Sequence, residues 1–239
     1  MNIWEGIYKS FKDVPQKGNP FNSKRWVSSV TKKTNLVRSK IDRPSNQSVL
    51  PLIVSLIPKN QISIFDFGGG MGADFINCLN ATDKKLNYEI LENEKITEVG
   101  KESIEKINFI NSPAEISSGH FDIFHCNSSI QYVQNPSSVI SSVIEKISPN
   151  FISFEDLPTV EVDSFVTAQN YYNSTIPCWF FNKFAFVKLI EKMNYKLIYE
   201  SKNFAKILDS EIGKLMNNFP EKYRCPFTKN FIFKNIRLR

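Results

Sequence analysis

The sequence predicts an α/β fold: a parallel sheet with helices wound over both faces. Three observations carry that reading. Apolar, β-prone runs alternate with helical patterns from residue 61 to residue 155, the order expected of βα units. The first run, Ile62 to Phe67, breaks into Gly68, Gly69, Gly70 and Gly72 before a helical pattern through Phe75, Ile76 and Leu79. A second run, Leu86 to Leu91, ends on an acid, Glu92, about twenty residues after the last glycine. Strand, glycine turn and helix make the entry to a nucleotide site, because glycine admits φ > 0 and lets backbone N–H groups approach a ligand closely.

Each element follows in order. Residues 1–58 are expected to form a helical, aromatic and basic cap, packed on a core that spans 59–239, with one domain overall. Trp4, Tyr8, Phe11, Phe21 and Trp26 are too dense an aromatic set for a disordered tail. Ser45 to Ile57 predicts a helix ended by Pro58. Strands follow at Gln61–Phe67, Leu86–Leu91, Ile107–Ile110, Phe121–Cys126 and Phe151–Glu155. Helices between them start near Gly72, run over Ile96–Glu105, and run over Ser137–Ile147, where positions 139, 140, 143, 144 and 147 are apolar. In the last third, Lys183 to Met193 is amphipathic. Tyr195–Tyr199 and Asn230–Leu238 read as late strands around a helical insertion near Lys206–Met216.

Composition narrows the class. The chain has 239 residues, 41% hydrophobic and 23% charged, enough to bury a full core and too apolar for a disordered protein. Its longest apolar run, Val49 to Ile57, holds Pro51 and Ser55 and is too short to cross a bilayer. Residues 1–8 contain Glu5 and no unbroken apolar stretch, unlike a signal peptide. Cys78, Cys126, Cys178 and Cys225 form no C-x-x-C pair, so free thiols in a cytoplasmic protein are expected, with no metal site. Of the net charge of +6, the excess lies early, with ten Lys/Arg against two Asp/Glu from Lys9 to Arg43. Such a segment could draw an anionic acceptor or an acidic membrane surface. No nucleic-acid-binding module is present, so no nucleic-acid partner is expected.

In a doubly wound sheet, ligands sit outside the carboxyl ends of the strands. That rule selects Asp66 and the glycine turn, Glu92 with Asn93, the turn Asn111-Ser112-Pro113-Ala114-Glu115, Asn127-Ser128-Ser129 with Gln131 and Tyr132, and Glu155-Asp156. Bland readings stand beside these: the serines as helix caps, Asn111 and Ser112 as turn formers. The run also fits two cofactors. Gly68, Gly70 and Ala73 satisfy the G-x-G-x-x-G/A pattern of NAD enzymes, and Asp66 with Gly68, Gly70 and Gly72 satisfies D-x-G-x-G-x-G. His125 lies inside its strand and reads as a hydrogen-bonded core histidine.

The second pattern resembles motif I of the class I S-adenosylmethionine (SAM)-dependent methyltransferases. More narrowly, the chain resembles a group of methyltransferases found with bacterial surface-polysaccharide (capsule or lipopolysaccharide) genes. That likeness runs through Trp4-Glu5-Gly6-Ile7-Tyr8-Lys9-Ser10-Phe11, Phe65 to Gly72, Tyr88-Glu89-Ile90-Leu91-Glu92-Asn93, Ser128 to Val133, and Ile176-Pro177-Cys178-Trp179-Phe180-Phe181. The resemblance implies a Rossmann-like, seven-stranded, mostly parallel sheet whose last strand is antiparallel. It also implies SAM as methyl donor, S-adenosylhomocysteine (SAH) as product, and O-methylation of a surface-glycan sugar, precursor or phosphoryl-type substituent. Asp66, Phe67, Gly68, Gly69, Gly70 and Gly72 would hold the methionine portion and the start of the adenosine. Glu92, with Asn93, would take the ribose, Pro113, Ala114 and Glu115 would lie by the adenine, and Asn127 and Ser128 by the methionine end. Gln131 stands where many such enzymes carry histidine. Glu155, Asp156 and Tyr132 are the candidates for a general base, and Tyr171, Tyr172 and Trp179 for walls of the acceptor pocket. An NAD(P)-dependent oxidoreductase and a SAM-binding, non-catalytic partner subunit are the competing readings.

Overall fold

The computed structural model describes residues 2–39, 48–204, 206–207, 210–211 and 215–237. In chain order the elements are β1 (Trp4–Tyr8), α1 (Lys24–Ser39), α2 (Leu50–Leu56), β2 (Gln61–Phe67), α3 (Ala73–Ala81), β3 (Lys85–Leu91), α4 (Glu94–Ser103), β4 (Ile107–Ile110), β5 (Ile123–Asn127) and α5 (Pro136–Ile147). There follow β6 (Phe151–Leu157), β7 (Thr159–Val160), β8 (Phe165–Tyr171), β9 (Ser174–Asn182), α6 (Lys183–Glu191), β10 (Tyr195–Asn203), β11 (Lys206–Ile207), β12 (Ser210–Glu211) and β13 (Thr228–Asn235).

The main sheet has seven strands in the order β10-β13-β6-β5-β2-β3-β4. Strands β2 to β6 pair in parallel, and β13 enters antiparallel between β6 and β10. The chain leaves β2 towards β3 on one side and later returns to β5 on the other. That reversal opens a crevice at the carboxyl ends of the strands.

Alternation along the strands divides the core in two. Ile62 and Ile64 of β2, Ile90 of β3 and Ile123 of β5 pack with Leu50 and Val54 of α2 and Phe75 of α3. On the other face, Phe124 of β5, Phe154 of β6 and Phe233 of β13 pack with Ile140 of α5 and Phe186 of α6. Phe154 is fully buried and meets Phe124, Phe186 and Phe233 edge-on, with centroids 5.1 to 6.4 Å away.

A second, four-stranded sheet, β1-β8-β9-β7, stands beside the crevice. Strands β8 and β9 form a hairpin whose two turn residues, Tyr172 and Asn173, both have positive φ (49° and 61°). This is the turn geometry that matches strand twist. The Pro-Cys-Trp-Phe-Phe run lies within β9, where Phe180 stacks on Phe165 and Trp179 Nε1 donates to the Val133 carbonyl at 3.1 Å.

Two expectations need correction. The cap is not helical alone, since Trp4–Tyr8 is a strand paired with β8. In the stretch near Lys206–Met216, β11 and β12 pair where a helical insertion was expected, and among its described residues only Leu215 and Met216 take a 3-10 turn. The expected helix start at Ser45 lies outside the described residues, and the helix is described from Leu50.

Candidate active site

At the carboxyl ends of β2, β3, β5 and β6 lies a cavity of about 630 Å³, within the range of small-molecule sites. One end is lined by Phe67, Gly68, Leu91, Glu92, Asn93, Asn111 and Pro113, and the other by Ser128, Tyr132, Asp156, Gln169 and Tyr171. Asn19, Phe21, Asn22 and Trp26 also line it. The 3-10 turn Pro20–Asn22 is capped by Asn19, and Phe21 packs at 5.2 Å against both Trp26 and Tyr132. The basic residues of α1, Lys24, Arg25, Lys32, Lys33 and Arg38, are exposed. No lysine or arginine is among the described lining residues, while the charge of Lys33 acts on Asp156 at the cavity.

The glycine run fits its place closely. Gly68, Gly70 and Gly72 have φ of 71°, 57° and 75°, which side chains rarely adopt. At Gly69 a Cβ would stand 2.2 Å from Asp66 Oδ2, and at Gly68 2.4 Å from Ser129 Cβ. The loop therefore rests directly on the Asp66 carboxylate. Tyr88 donates to Asp66 Oδ2 at 2.7 Å, while Oδ1 is buried with no partner among the described residues. Glu92 Oε1 accepts from the Gly70 N–H at 3.2 Å, and Oε2 accepts from the Asn93 N–H at 2.7 Å. These bonds fix its carboxylate at the cavity's edge, and burial pushes its pKa up.

Asp156 owes its position to a bulge. The register between β6 and β13 shifts there, and Asp156 takes φ 51°, which re-aims a side chain out of strand alternation. Oδ1 accepts from Thr228 Oγ1 at 2.6 Å and Asn203 Nδ2 at 3.5 Å. Burial raises its pKa against hydrogen bonds from Thr228 and Ser128. Ser128, at the end of β5, also has positive φ (53°). Backbone of this kind is held only where its surroundings over-determine it, and it clusters at functional sites.

Other expected residues lie elsewhere. Glu155 points to the α2 face, where Oε2 accepts from the Val49 N–H at 2.9 Å and Oε1 from Ser153 Oγ at 3.2 Å. It does not line the cavity, and that placement removes it from reach of an acceptor there. Asn127 donates to Asp74 Oδ2 at 2.9 Å, beneath the loop. Gln131 is buried and donates to Ser128 Oγ at 3.1 Å, supporting the cavity wall from behind. Ala114 and Glu115 do not line the cavity, though Pro113 and Asn111 do. Tyr171 is a wall; Tyr172 bonds Ser29, and Trp179 packs on Phe11. Gln169 was missed because no strand was expected at β8.

Under the loop lies a buried charged layer. His125, fully buried, has Nε2 3.3 Å from Asp74 Oδ2 and Nδ1 3.8 Å from Glu155 Oε1. Burial opposes its charge, but Asp66, Asp74 and Glu155 overcome this and lift its pKa from 6.5 to about 9. A folded-state pKa above the unfolded value gives stability that is complete below pH 6.5 and lost as pH rises through 9. Asp66, raised from 3.8 to about 6 chiefly by burial, acts in the same direction at lower pH. Urea midpoints are therefore expected to fall from pH 6.5 to pH 9, and His125→Gln should flatten that fall. An equal slope in both proteins would refute the assignment.

No protein-family model and no curated protein sequence matches this chain. Solved structures match in shape. The 1,6-didemethyltoxoflavin-N1-methyltransferase of Burkholderia thailandensis, with bound 1,6-didemethyltoxoflavin and SAH, has a TM-score of 0.52 at 9% identity over 93% of this chain and 94% of its own. A SAM-dependent methyltransferase from Mesorhizobium loti has a TM-score of 0.54 at 10% identity over 81% of this chain and 100% of its own. The SAM-bound magnesium protoporphyrin IX methyltransferase of Synechocystis has a TM-score of 0.50 at 10% identity, over 91% and 86%. What these likenesses establish is the fold: an α/β, mostly parallel seven-stranded sheet with an antiparallel strand near its end, as in SAM-dependent methyltransferases.

Proposed function

We propose that this chain is a SAM-dependent methyltransferase acting on a hydroxyl of a sugar-like acceptor. The observation that carries this reading is one cavity with Glu92 and Gly68 at one end and Asp156, Tyr132 and Tyr171 at the other. Its residues suit the donor. Glu92 can accept hydrogen bonds from ribose hydroxyls, and the orphaned Asp66 Oδ1 sits beneath a loop whose glycines leave its backbone bare of side chains. Two carboxylates and five aromatic side chains in the lining favour a cationic sulfonium over a nicotinamide dinucleotide's phosphates.

SAM supplies a methyl group that its sulfonium already makes electrophilic. The protein's share is placement and proton handling. Phe21 and Trp26 line the cavity with apolar rings. Asp156, raised in pKa and held by Thr228, takes the proton from the acceptor hydroxyl as it attacks. Tyr132 and Tyr171 supply flat faces against which a sugar ring can lie. The surface-glycan setting rests on the sequence resemblance, and an uncharged acceptor is favoured over an anionic or phosphoryl one by the lining.

Calorimetric titration of the folded protein with SAH and, separately, NADH tests the donor. SAH is expected to bind at one site per chain and NADH not at all. NADH binding without SAH binding would replace this reading with the oxidoreductase.

A further inference from the structure

The acceptor half of the cavity carries a residue that no glycine motif or strand-end rule selects. Gln169 lies on β8, is 2% exposed, and lines the cavity beside Tyr171. Its Oε1 is buried and has no partner among the described residues. A buried amide oxygen left unpaired is unfavourable, so its natural complement is a donor brought in by a ligand.

The surroundings define that ligand. Asp156 offers a carboxylate, Gln169 an amide oxygen, and Tyr132 and Tyr171 ring faces, while no described lining residue is a lysine or arginine. A carboxylate beside an unpaired amide oxygen repels an anion and selects an uncharged molecule rich in donors. The three polar heads come from separate elements, the turn after β5, the bulge of β6 and the middle of β8. They converge only through the hairpin sheet packed beside the crevice.

We propose that Gln169 determines acceptor specificity, its Oε1 accepting a hydrogen bond from a second hydroxyl on an uncharged, polyhydroxylated ring whose neighbouring hydroxyl is methylated. This rests on the methyltransferase reading above. Gln169 is a positioning residue for the acceptor and takes no part in donor binding. A site built to hydrogen-bond a substrate hydroxyl discriminates strongly, because the analogue lacking it leaves the buried group unpaired.

The test separates the two claims. SAH affinity is measured first by calorimetry for the wild type, Gln169→Leu and Gln169→Glu; absence of SAH binding by the wild type defeats the methyltransferase reading itself. With binding in hand, methyl transfer from radiolabelled SAM is measured on matched sets of neutral methyl glycosides and of hexuronic acids. Turnover is expected on neutral glycosides. Gln169→Leu should raise the acceptor KM by about tenfold or more while the SAH Kd stays within about twofold. Gln169→Glu, which keeps an acceptor oxygen, should recover part of that KM. Four results would each overturn the proposal: turnover confined to the hexuronic acids, no turnover on either set despite SAH binding, an unchanged KM in Gln169→Leu, or equal losses in both variants.

Discussion

Gly68→Ala is expected to abolish SAH binding and to lower stability by about 2–4 kcal/mol, from a left-handed backbone penalty plus overpacking. Gly68 has φ +71°, and an added Cβ would lie 2.4 Å from Ser129 Cβ. Ser129 cannot simply withdraw. Its hydroxyl donates to the Phe67 carbonyl and meets Cys126 Sγ at 3.0 Å, so it is anchored to the strand end that carries the loop. The loop must therefore move, and with it the Gly70 N–H that orients Glu92. Urea denaturation and calorimetry on the same preparation read both effects. Wild-type stability together with wild-type SAH affinity would show that the loop has slack the packing denies it.

Asp156→Asn is expected to lower kcat by about 10²–10⁴-fold while SAH affinity is retained, the range for loss of a general base. Asparagine tolerates the positive φ (51°) found there, and its amide oxygen can still accept from Thr228. The substitution therefore removes the proton acceptor and leaves the bulge in place. Single-turnover rates on any acceptor found in the glycoside screen measure the effect. An unchanged rate would mean that the attacking atom arrives already deprotonated.

Much of the central sheet was legible because its strands and helices alternate with clean periodicity, and Ile107–Ile110 is a strand over the same residues in sequence and structure. The hairpin sheet was not. Its turn, Tyr172-Asn173, lacks glycine, and Pro177 sits inside β9, where proline argues against a paired strand. Pairing on both sides of β9 and the rings of Phe165 and Phe180 override that local signal. Without β8, Gln169 had no place in any site.

The candidate site divides along the same line. Asp66 and Glu92 were legible because motif spacing reflects backbone geometry that only certain residues satisfy. Glu155 and Asp156 are neighbours in sequence and part company in space. Strand alternation sends Glu155 with Ser153 to the α2 face, whereas the bulge turns Asp156 into the cavity. A one-residue bulge leaves no mark in hydrophobic periodicity, and so the pair looked equivalent.

A crystal structure of the protein with SAH is expected to show SAH within the cavity between Glu92 and Asp156, its ribose on the Glu92 carboxylate and its sulfur towards the half formed by Asp156, Tyr132 and Gln169. SAH bound outside that cavity, or with its sulfur turned away from Asp156, would contradict the reading of this site.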